Sequence, residues 1–451
     1  MYLDLFTLKV ENFRAIKEAT IGLNGITVVA GINGCGKSTL SKLLFHTLYT
    51  AQNLEKLITS NMLVNLQWFD NVMDYLNYRV VKKNVDDEGN QPPGYPPFRK
   101  ERIISRLHHG SSLNGIKENY DRCFEEARTF LPLLVENRES IIRYIYEKIP
   151  GRESIALENK TLESIVETAI GIARAIIDYG ESLLKKRDNE FFKISLEETF
   201  GETVPVENYH FWELDNEVTD YSAGCLAPIF SIEKIAYLDT PFILDWSSVE
   251  KKDIPEMHWM QMAQLFKKPS LPKYQDDDIL KMIEQDVLGG KIQRNQNPPQ
   301  PFTFIQDDNE YDLKQCATGV KSIAIIHHLL TSGFLDDTSM LIIDEPEAHL
   351  HPAWIVEYAR LIVLLHKKHR VKFFIATHSP DMVSALKYIG EKEMADAEKR
   401  MGFYLAEEDE QEKHQFVFRS LGMNIGPIHG SFNIAIDKTD EYGDLEREPV
   451  F

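Results

Sequence analysis

The sequence predicts an α/β fold in which helices flank a mixed sheet and a large helical lobe interrupts the chain. A Gly-rich loop at residues 31–38 follows a short β-branched run and precedes a helical pattern. Far downstream, two apolar strand patterns at 340–343 and 373–376 are followed by D-E-P at 344–346 and by T-H-S-P at 377–380. Residues 50–230 have the apolar spacing of helices. The Gly-rich loop and the two downstream strand ends can form one site only if a single sheet brings them together.

The composition is that of a globular protein without a membrane segment. Of the 451 residues, 43% are hydrophobic and 27% are charged, and no apolar run has the ~20 residues needed to cross a bilayer. The four cysteines lack pair spacing, which fits a reduced, cytoplasmic location. The net charge of -20 argues against nonspecific nucleic-acid binding, because phosphate contacts need clustered Lys and Arg. A local basic patch remains an alternative, and if nucleic acid is the target, much of the contact is expected through a partner.

The loop at residues 31–38, G-I-N-G-C-G-K-S, matches the phosphate-binding pattern G-x-x-x-x-G-K-[ST] at every required position. Its glycines let backbone N–H groups surround an anion, and the following helix directs its positive end at the phosphates. Lys37 is predicted to contact the β- and γ-phosphates, and Ser38 to bind Mg²⁺. The alternative is an ordinary Gly-rich turn. The predicted nucleotide-binding residues of this loop are Asn33, Gly34, Cys35, Gly36, Lys37, Ser38 and Thr39.

Three side chains at strand ends are predicted to complete the chemistry. Asp344 ends an apolar strand, where its carboxylate would bind Mg²⁺, and Glu345 would orient or deprotonate the attacking water. His378 follows the next apolar strand and would contact the γ-phosphate. The alternatives are two solvated carboxylates and a structural histidine.

The segment C-A-T-G-V-K-S at residues 316–322 precedes an apolar helix. Gly319 would start that helix, so that its N–H groups face an anion. The alternative is an ordinary helix start with Thr318 as the N-cap, and spacing alone favours this alternative.

Four segments are predicted along the chain. Proline and glycine breakers interrupt the helical region, which argues against a long coiled-coil arm. The segments are residues 1–50, the first part of an ATPase core; 51–230, the helical lobe; 231–420, the second part of the core with a polar insertion at about 250–301; and 421–451, a C-terminal tail.

Together these motifs resemble the ATP-binding-cassette class of ATPases, in the branch shared with chromosome-maintenance, recombination-repair and overcoming-lysogenization-defect proteins. N-F-R-A-I-K-E-A at 12–19 resembles the turn in which an arginine, here Arg14, approaches the nucleotide. D-E-P-E-A-H-L-H-P at 344–352 resembles the branch's Walker B motif and D-loop, and A-T-H-S-P at 376–380 its switch histidine. The resemblance implies ATP and Mg²⁺ as cofactors and ATP hydrolysis with Glu345 and His378 as catalytic residues.

The resemblance also implies that ATP is shared between protomers, through Thr318, Gly319 and Lys321 of the signature-like segment. Here the sequence departs from the family pattern, since Thr318 stands in a motif that normally carries a serine. A standard Q-loop glutamine is also absent, and D-T-P at 239–241 occupies that neighbourhood. A pseudo-ATPase scaffold that binds ATP without turnover is therefore an alternative.

Within the branch, A-Y-L-D-T-P at 236–241, V-L-G-G-K-I at 287–292 and A-T-G-V-K-S at 317–322 most resemble the PtuA ATPases of Septu anti-phage systems and of related retron-linked systems. This resemblance covers about the first 50 residues and 230–385. It implies a sensor subunit of an antiviral complex that forms a homo-oligomer, from a dimer to a hexamer. The implied partners are a separate HNH-type nuclease and, in retron systems, a reverse transcriptase with its msDNA.

The segment after His378 shows no Asp-x-Asp cluster at a strand end. Related overcoming-lysogenization-defect and Gabija-type ATPases continue into a Toprim nuclease that needs such a cluster, so the nuclease is expected on another chain. A DNA-repair or chromosome-type ATPase that clamps DNA is the other alternative.

Overall fold

The computed structural model contains two compact units. The first combines Met1–Gln52 with Phe192–Phe451, and the second is Asn53–Phe191. The predicted helical lobe extends to residue 230, whereas the structure assigns the chain from Phe192 onward to the first unit. The structure describes residues 5–83, 112–156, 160–220, 223–241, 243–244, 254, 256–271, 277–295, 302–348 and 350–432.

A mixed sheet of ten strands in the described chain forms the centre of the first unit, in the order β5-β4-β1-β2-β13-β12-β3-β11-β10-β6. Its strands are β1 (Phe6–Phe13), β2 (Ile16–Leu23), β3 (Ile26–Ala30), β4 (Tyr209–Glu213), β5 (Asn216–Glu217), β6 (Lys234–Leu238), β10 (Ser339–Asp344), β11 (Lys372–Thr377), β12 (Met401–Glu408) and β13 (Phe416–Gly422). A smaller antiparallel sheet consists of β7 (Lys291–Arg294), β8 (Phe302–Gln306) and β9 (Asn309–Asp312).

Five neighbouring strands, β12, β3, β11, β10 and β6, run parallel. Every residue of β3 and β10 is buried, as expected for strands covered on both faces. The register pairs Ala30 with Thr377 and Ala376 with Asp344. The carboxyl ends of these strands therefore meet at one edge of the sheet.

Helices flank this sheet, and their apolar faces form its core with the strands. The helix α9 begins at Pro352 with His351 as its N-cap, and Ser379 is the N-cap of α10. The helices of the first unit are the beginning of α1 (Lys37–Lys83), most of α5 (Glu190–Phe200), α6 (Met257–Leu265), α7 (Asp278–Met282), α8 (Thr318–Thr331), α9 (Pro352–His369), α10 (Pro380–Glu393), α11 (Ala397–Arg400) and α12 (Gly426–Phe432).

The second unit is helical. It contains α1 beyond a kink at Asn53, together with α2 (Leu113–Phe130), α3 (Arg138–Lys148) and α4 (Leu162–Lys186). Ser112 and Thr161 cap α2 and α4, because each hydroxyl accepts a hydrogen bond from a backbone N–H in the first turn. The buried faces of the four helices form a core of their own.

These observations confirm the predicted fold class, a mixed sheet flanked by helices with a helical lobe inserted. The predicted C-terminal tail, 421–451, contains the end of β13 and the helix α12. Residues 433–451 of this tail lie outside the described residues. No helix in the described part of the chain combines the length and apolar character that crossing a membrane requires.

Candidate functional site

The loop between β3 and α1 has the backbone geometry that its glycines make accessible. Gly34 and Gly36 have φ values of 82° and 99°, in the region that residues with a Cβ rarely adopt. A Cβ at position 36 would also lie 2.7 Å from Cγ1 of Ile16 on β2. The loop is therefore restricted to glycine at this position by both conformation and space.

Lys37 begins α1 and folds back over the loop. Its ammonium group donates hydrogen bonds to the carbonyl oxygens of Gly31 and Ile32, each at 2.9 Å, and the residue is 6% exposed. The buried Cys35 side chain lies beside it, with Sγ 3.8 Å from Nζ, and burial raises the pKa of this thiol. Cys35 can therefore contribute to phosphate binding through its backbone N–H rather than through its side chain.

Asp344, at the end of β10, joins the two distant parts of the site. Its carboxylate accepts hydrogen bonds from the Ser41 hydroxyl on α1 and from the Tyr237 hydroxyl at 2.9 Å, and the nearby Ser38 hydroxyl acts to lower its pKa. Burial raises the pKa of Asp344 although these hydrogen bonds act in the opposite direction. A cation would relieve the cost of holding this charge in a buried place.

Ser38 and Asp344 are the predicted Mg²⁺ ligands, and the structure brings their side chains together. A hydroxyl and a carboxylate are hard oxygen donors, and Mg²⁺ usually takes one or two carboxylates with waters and substrate phosphates. The pair therefore fits a magnesium ion that is completed by nucleotide. The described residues contain no cluster of three or more His, Cys, Asp or Glu side chains that could hold a metal without such help.

Glu345 follows in a left-handed conformation, with φ of 48°. Its N–H donates to the carbonyl oxygen of Ala376 on β11 at 2.8 Å, and its side chain is 44% exposed. A non-glycine residue in this region carries a cost of about 1–3 kcal/mol and is often found at functional sites. The conformation turns the chain sharply after the buried Asp344, so that adjacent carboxylates occupy different environments.

His378 lies beside Glu345, just beyond the end of β11. Its Nδ1 is 3.3 Å from Oε1 of Glu345, and its side chain is 41% exposed. The structure therefore brings together both residues that were predicted to be catalytic. A further carboxylate, Glu347, contacts the same turn.

Asp239 follows β6, where the sequence lacks a Q-loop glutamine. It accepts hydrogen bonds from Trp259 Nε1 at 2.9 Å and lies 3.0 Å from His258 Nε2. Burial acts to raise the pKa of Asp239, but the contacts with His258 and Trp259 outweigh it and lower the pKa. A narrow cleft beyond Asp239 is lined by Thr240, Asp344, Glu345 and Ser322 of α8, among others.

The signature-like segment begins α8 in a way that differs from both sequence interpretations. Ala317 is the N-cap and provides no side-chain cap, so Thr318 is the first helical residue rather than the cap. Gly319 is buried, and a Cβ there would lie 3.0 Å from Trp354 of α9. Lys321 is also buried, at 5% exposure.

Arg14 occupies the turn between β1 and β2, with φ of 54°. Its guanidinium donates to Oε1 of Glu202 at 2.6 Å and to the carbonyl oxygen of Phe200 at 2.7 Å, and it lies over the Phe200 ring. Ile16, two residues further on, packs against Gly36 of the loop. The turn is thus next to the phosphate-binding loop, while the Arg14 side chain is held by α5 and the residues after it.

The remaining predicted loop residues differ in exposure. Asn33 and Ser38 are exposed, and Thr39 is half-buried.

Two residues at the site, Ser41 and Tyr237, were not predicted from the sequence. Ser41 could have been found, because it lies three positions after Ser38 and shares its helix face. Tyr237 belongs to no motif that assigns it a role.

Comparison with known proteins supports an ATPase domain in the second half of the chain. The sequence profile of the family described as "AAA ATPase domain" matches residues 250–383, which include Asp344, Glu345 and His378 but not the phosphate-binding loop. No curated protein matches the chain. The family match and the residues at the ends of β10 and β11 both support an ATPase-type nucleotide site.

Two solved structures show a low similarity to this chain. One is an Smc head bound to the C-winged helix domain of ScpA, with 12% identity, 94% of this chain and 98% of that chain covered, and a TM-score of 0.36. The other is the SMC head domain from Thermotoga maritima, with 9% identity, coverage of 93% and 99%, and a TM-score of 0.35. TM-scores of this size support no functional conclusion.

The opposite pKa shifts of Asp344 and Asp239 predict opposite effects of neutralising them. The pKa of Asp344 is raised in the folded protein. Its charge therefore opposes folding once the pH rises above the pKa that Asp344 has in the unfolded chain. The pKa of Asp239 is lowered, so its charge supports folding above that value and the support is lost at acidic pH. At pH 7 without Mg²⁺, Asp344→Asn should raise the Tm and Asp239→Asn should lower it.

The Tm of both variants is measured by thermal unfolding in the presence of a chelator. A second scan with MgATP measures how much the ligand raises the Tm. Wild type should gain stability from MgATP, whereas Asp344→Asn should lose at least tenfold in affinity for it. A lower Tm for Asp344→Asn than for wild type in chelator would contradict the prediction.

Proposed function

We propose that this chain is a Mg²⁺-dependent ATPase whose site is completed by a second copy of the chain. The observation that carries the proposal is the junction of the phosphate-binding helix with Asp344. The Ser41 hydroxyl donates a hydrogen bond to this carboxylate, the Ser38 hydroxyl lies near it, and Glu345 and His378 lie at the same sheet edge. A phosphate group held by the loop would therefore lie within reach of a metal ligand and of a general base.

ATP binding would begin with an exchange of partners at Lys37. In the structure its ammonium group is bound by two loop carbonyls. The β- and γ-phosphates offer charged acceptors, which form stronger hydrogen bonds than neutral carbonyls. The N–H groups of residues 34–39 would surround the phosphates, and Mg²⁺ bound by Ser38 and Asp344 would offset their negative charge.

Hydrolysis follows from the position of Glu345. Its half-exposed carboxylate accepts a proton from a water molecule while the water oxygen bonds to the γ-phosphorus. The bond between this phosphorus and the β–γ bridging oxygen breaks, which leaves ADP and phosphate. His378, beside Glu345, would contact the γ-phosphate and respond to its departure.

Arg14 and the start of α8 supply the remaining contacts in this proposal. The Arg14–Glu202 pair has side-chain exposures of 40% and 51%, and ion pairs this exposed contribute only about 0–1 kcal/mol. Exchanging Glu202 for a phosphate therefore costs Arg14 little in ion-pair energy, and the move also requires Arg14 to release the Phe200 carbonyl oxygen. The N–H groups of Thr318 and Gly319, uncapped at the start of α8, would face ATP bound to another protomer, and Lys321, whose side chain is buried, would add positive charge to this helix start.

Within this ATPase class we propose the role of sensor subunit in an antiviral complex. The support is the sequence resemblance at residues 236–241, 287–292 and 317–322. The first and last of these segments lie at the candidate site, because Tyr237 contacts Asp344 and Ser322 lines the cleft beside Glu345. The proposed partners are a separate HNH-type nuclease and, in a retron-linked system, a reverse transcriptase with its msDNA.

Turnover by the purified protein tests the ATPase proposal. Glu345→Gln should lower kcat by about 10²–10⁴-fold while ATP binding persists, because the amide cannot accept the proton from water. Lys37→Ala should lose ATP binding as well. Isothermal titration and phosphate release measure the two effects, and Lys42→Ala on the same helix is the matched control. Absence of turnover in wild type with intact ATP binding would support a pseudo-ATPase scaffold instead.

A mixing experiment tests the shared site. Thr318→Glu places a negative charge at the start of α8 and should abolish turnover, whereas the exposed Gln315→Glu should not. Each inactive protein, Lys37→Ala or Thr318→Glu, lacks a different half of the site. Mixed in equal amounts, they should recover about a quarter of the wild-type rate if two-fold dimers exchange subunits freely. No recovery despite confirmed subunit exchange would contradict a site shared between protomers.

Phage challenge tests the antiviral role. Phage should form at least tenfold fewer plaques on cells that express this chain with its neighbouring genes. Lys37→Ala or Glu345→Gln should abolish this protection. Duplex binding by the isolated protein is the second measurement. No protection, together with tight, salt-sensitive duplex binding, would favour a chromosome-type or repair ATPase.

A further inference from the structure

Glu347 is a buried carboxylate that the proposed chemistry leaves without a role. It lies in the turn that follows Glu345, where the Ala348 N–H donates to the Glu345 carbonyl oxygen at 2.8 Å. Its side chain is 5% exposed. A buried carboxylate is costly unless hydrogen bonds compensate for the lost water, so its presence in this turn needs a reason.

One oxygen of Glu347 binds the segment that carries His378. Its Oε1 accepts a hydrogen bond from the Thr377 hydroxyl at 2.7 Å and from the His378 backbone N–H at 2.9 Å. The Thr377 hydroxyl oxygen in turn accepts from the Ser379 N–H at 3.0 Å. Ser379 caps α10 by accepting from Met382 N–H. These bonds connect the turn after β10 to the whole turn between β11 and α10.

The His378 ring lies between two carboxylates without being bound by either. Its Nδ1 is 3.3 Å from Oε1 of Glu345 and 3.4 Å from Oε1 of Glu347, and no hydrogen bond is formed at this nitrogen. The backbone of His378 is fixed by Glu347, while its ring is still able to change partners. The second oxygen of Glu347 is buried and has no hydrogen-bond partner within the described structure.

We propose that Glu347 is a positioning residue that holds the backbone of His378 and thereby sets the distance between its ring and Glu345. The inference rests on the proposed ATPase function for its kinetic part. Glu347 does not contact the reacting atoms in this scheme. It anchors one catalytic side chain relative to the other, by linking the turn after β10 to the turn after β11.

The kinetic test compares two substitutions at position 347. Glu347→Ala removes the acceptor for both hydrogen bonds, and a displacement of about 1 Å near the chemistry can lower a rate by about 10²-fold. We expect kcat to fall by that order while the affinity for ATP changes less than threefold. Glu347→Gln retains an oxygen at the Oε1 position and should keep kcat within about fivefold of wild type.

Glu213 supplies a matched control for the loss of a buried carboxylate. It is 5% exposed, and it accepts hydrogen bonds from the backbone N–H groups of Phe230 and Ser231 at 2.9 and 2.7 Å. Glu213→Ala should therefore destabilise the same unit in a similar way but leave kcat within threefold. A kcat for Glu347→Ala within threefold of wild type, or an equal loss in Glu213→Ala, would overturn the proposal.

Hydrogen–deuterium exchange tests the anchor independently of turnover. In wild type the His378 amide donates to Glu347, so peptides covering residues 377–379 should exchange at least tenfold faster in Glu347→Ala. Thr377→Val, which removes one of the two donors, provides a second variant should Glu347→Ala prove too unstable to assay. Unchanged exchange in the two variants would refute the anchor, whereas a wild-type protein without ATP turnover would refute the proposed function alone.

Discussion

The contact between the Asp344 carboxylate and the start of α1 is the interaction on which the site depends. Its oxygens accept from Ser41 on one side and from Tyr237 on the other, with the Ser38 hydroxyl nearby. Through these bonds, a helix that begins near the N-terminus and two strands from the second half of the chain share one buried charge. A carboxylate in such a place is tolerated because three hydroxyls compensate for part of its lost hydration.

The site concentrates features that oppose stability. Glu345 has a left-handed backbone, Lys37 is a buried cation, and burial raises the pKa of Asp344. The five parallel strands hold these groups in place, because their register is fixed on both sides of β3 and β11. Behind the loop, His46 on α1 stays neutral, since burial lowers its pKa to about 3. A rigid apolar support thus surrounds a small, electrostatically unfavourable centre that a charged ligand would relieve.

Much of the site was predictable because its chemistry depends on local sequence. Glycine at 34 and 36 is required by backbone conformation, and a carboxylate after an apolar strand reaches the sheet edge wherever that strand lies. Arg14 shows the limit of such reasoning. Its position beside the loop follows from the β1–β2 turn, but its partners Glu202 and Phe200 are remote in sequence and follow no spacing rule. The strands β12 and β13 pair with each other across a short turn, but their places in the sheet depend on β3 and β2, which are remote in sequence.

The α/β class, the glycine-rich loop, the identity of the strand-end residues and the presence of a helical insertion follow from the sequence alone. Each of these depends on periodicity, glycine conformation or side-chain chemistry within a few residues. Only the tertiary structure decided that Ser41 and Tyr237 complete the environment of Asp344, and that Glu347 binds the His378 backbone. Those contacts arise where separate parallel strands end together, and the distance between strands in space is unrelated to their distance along the chain.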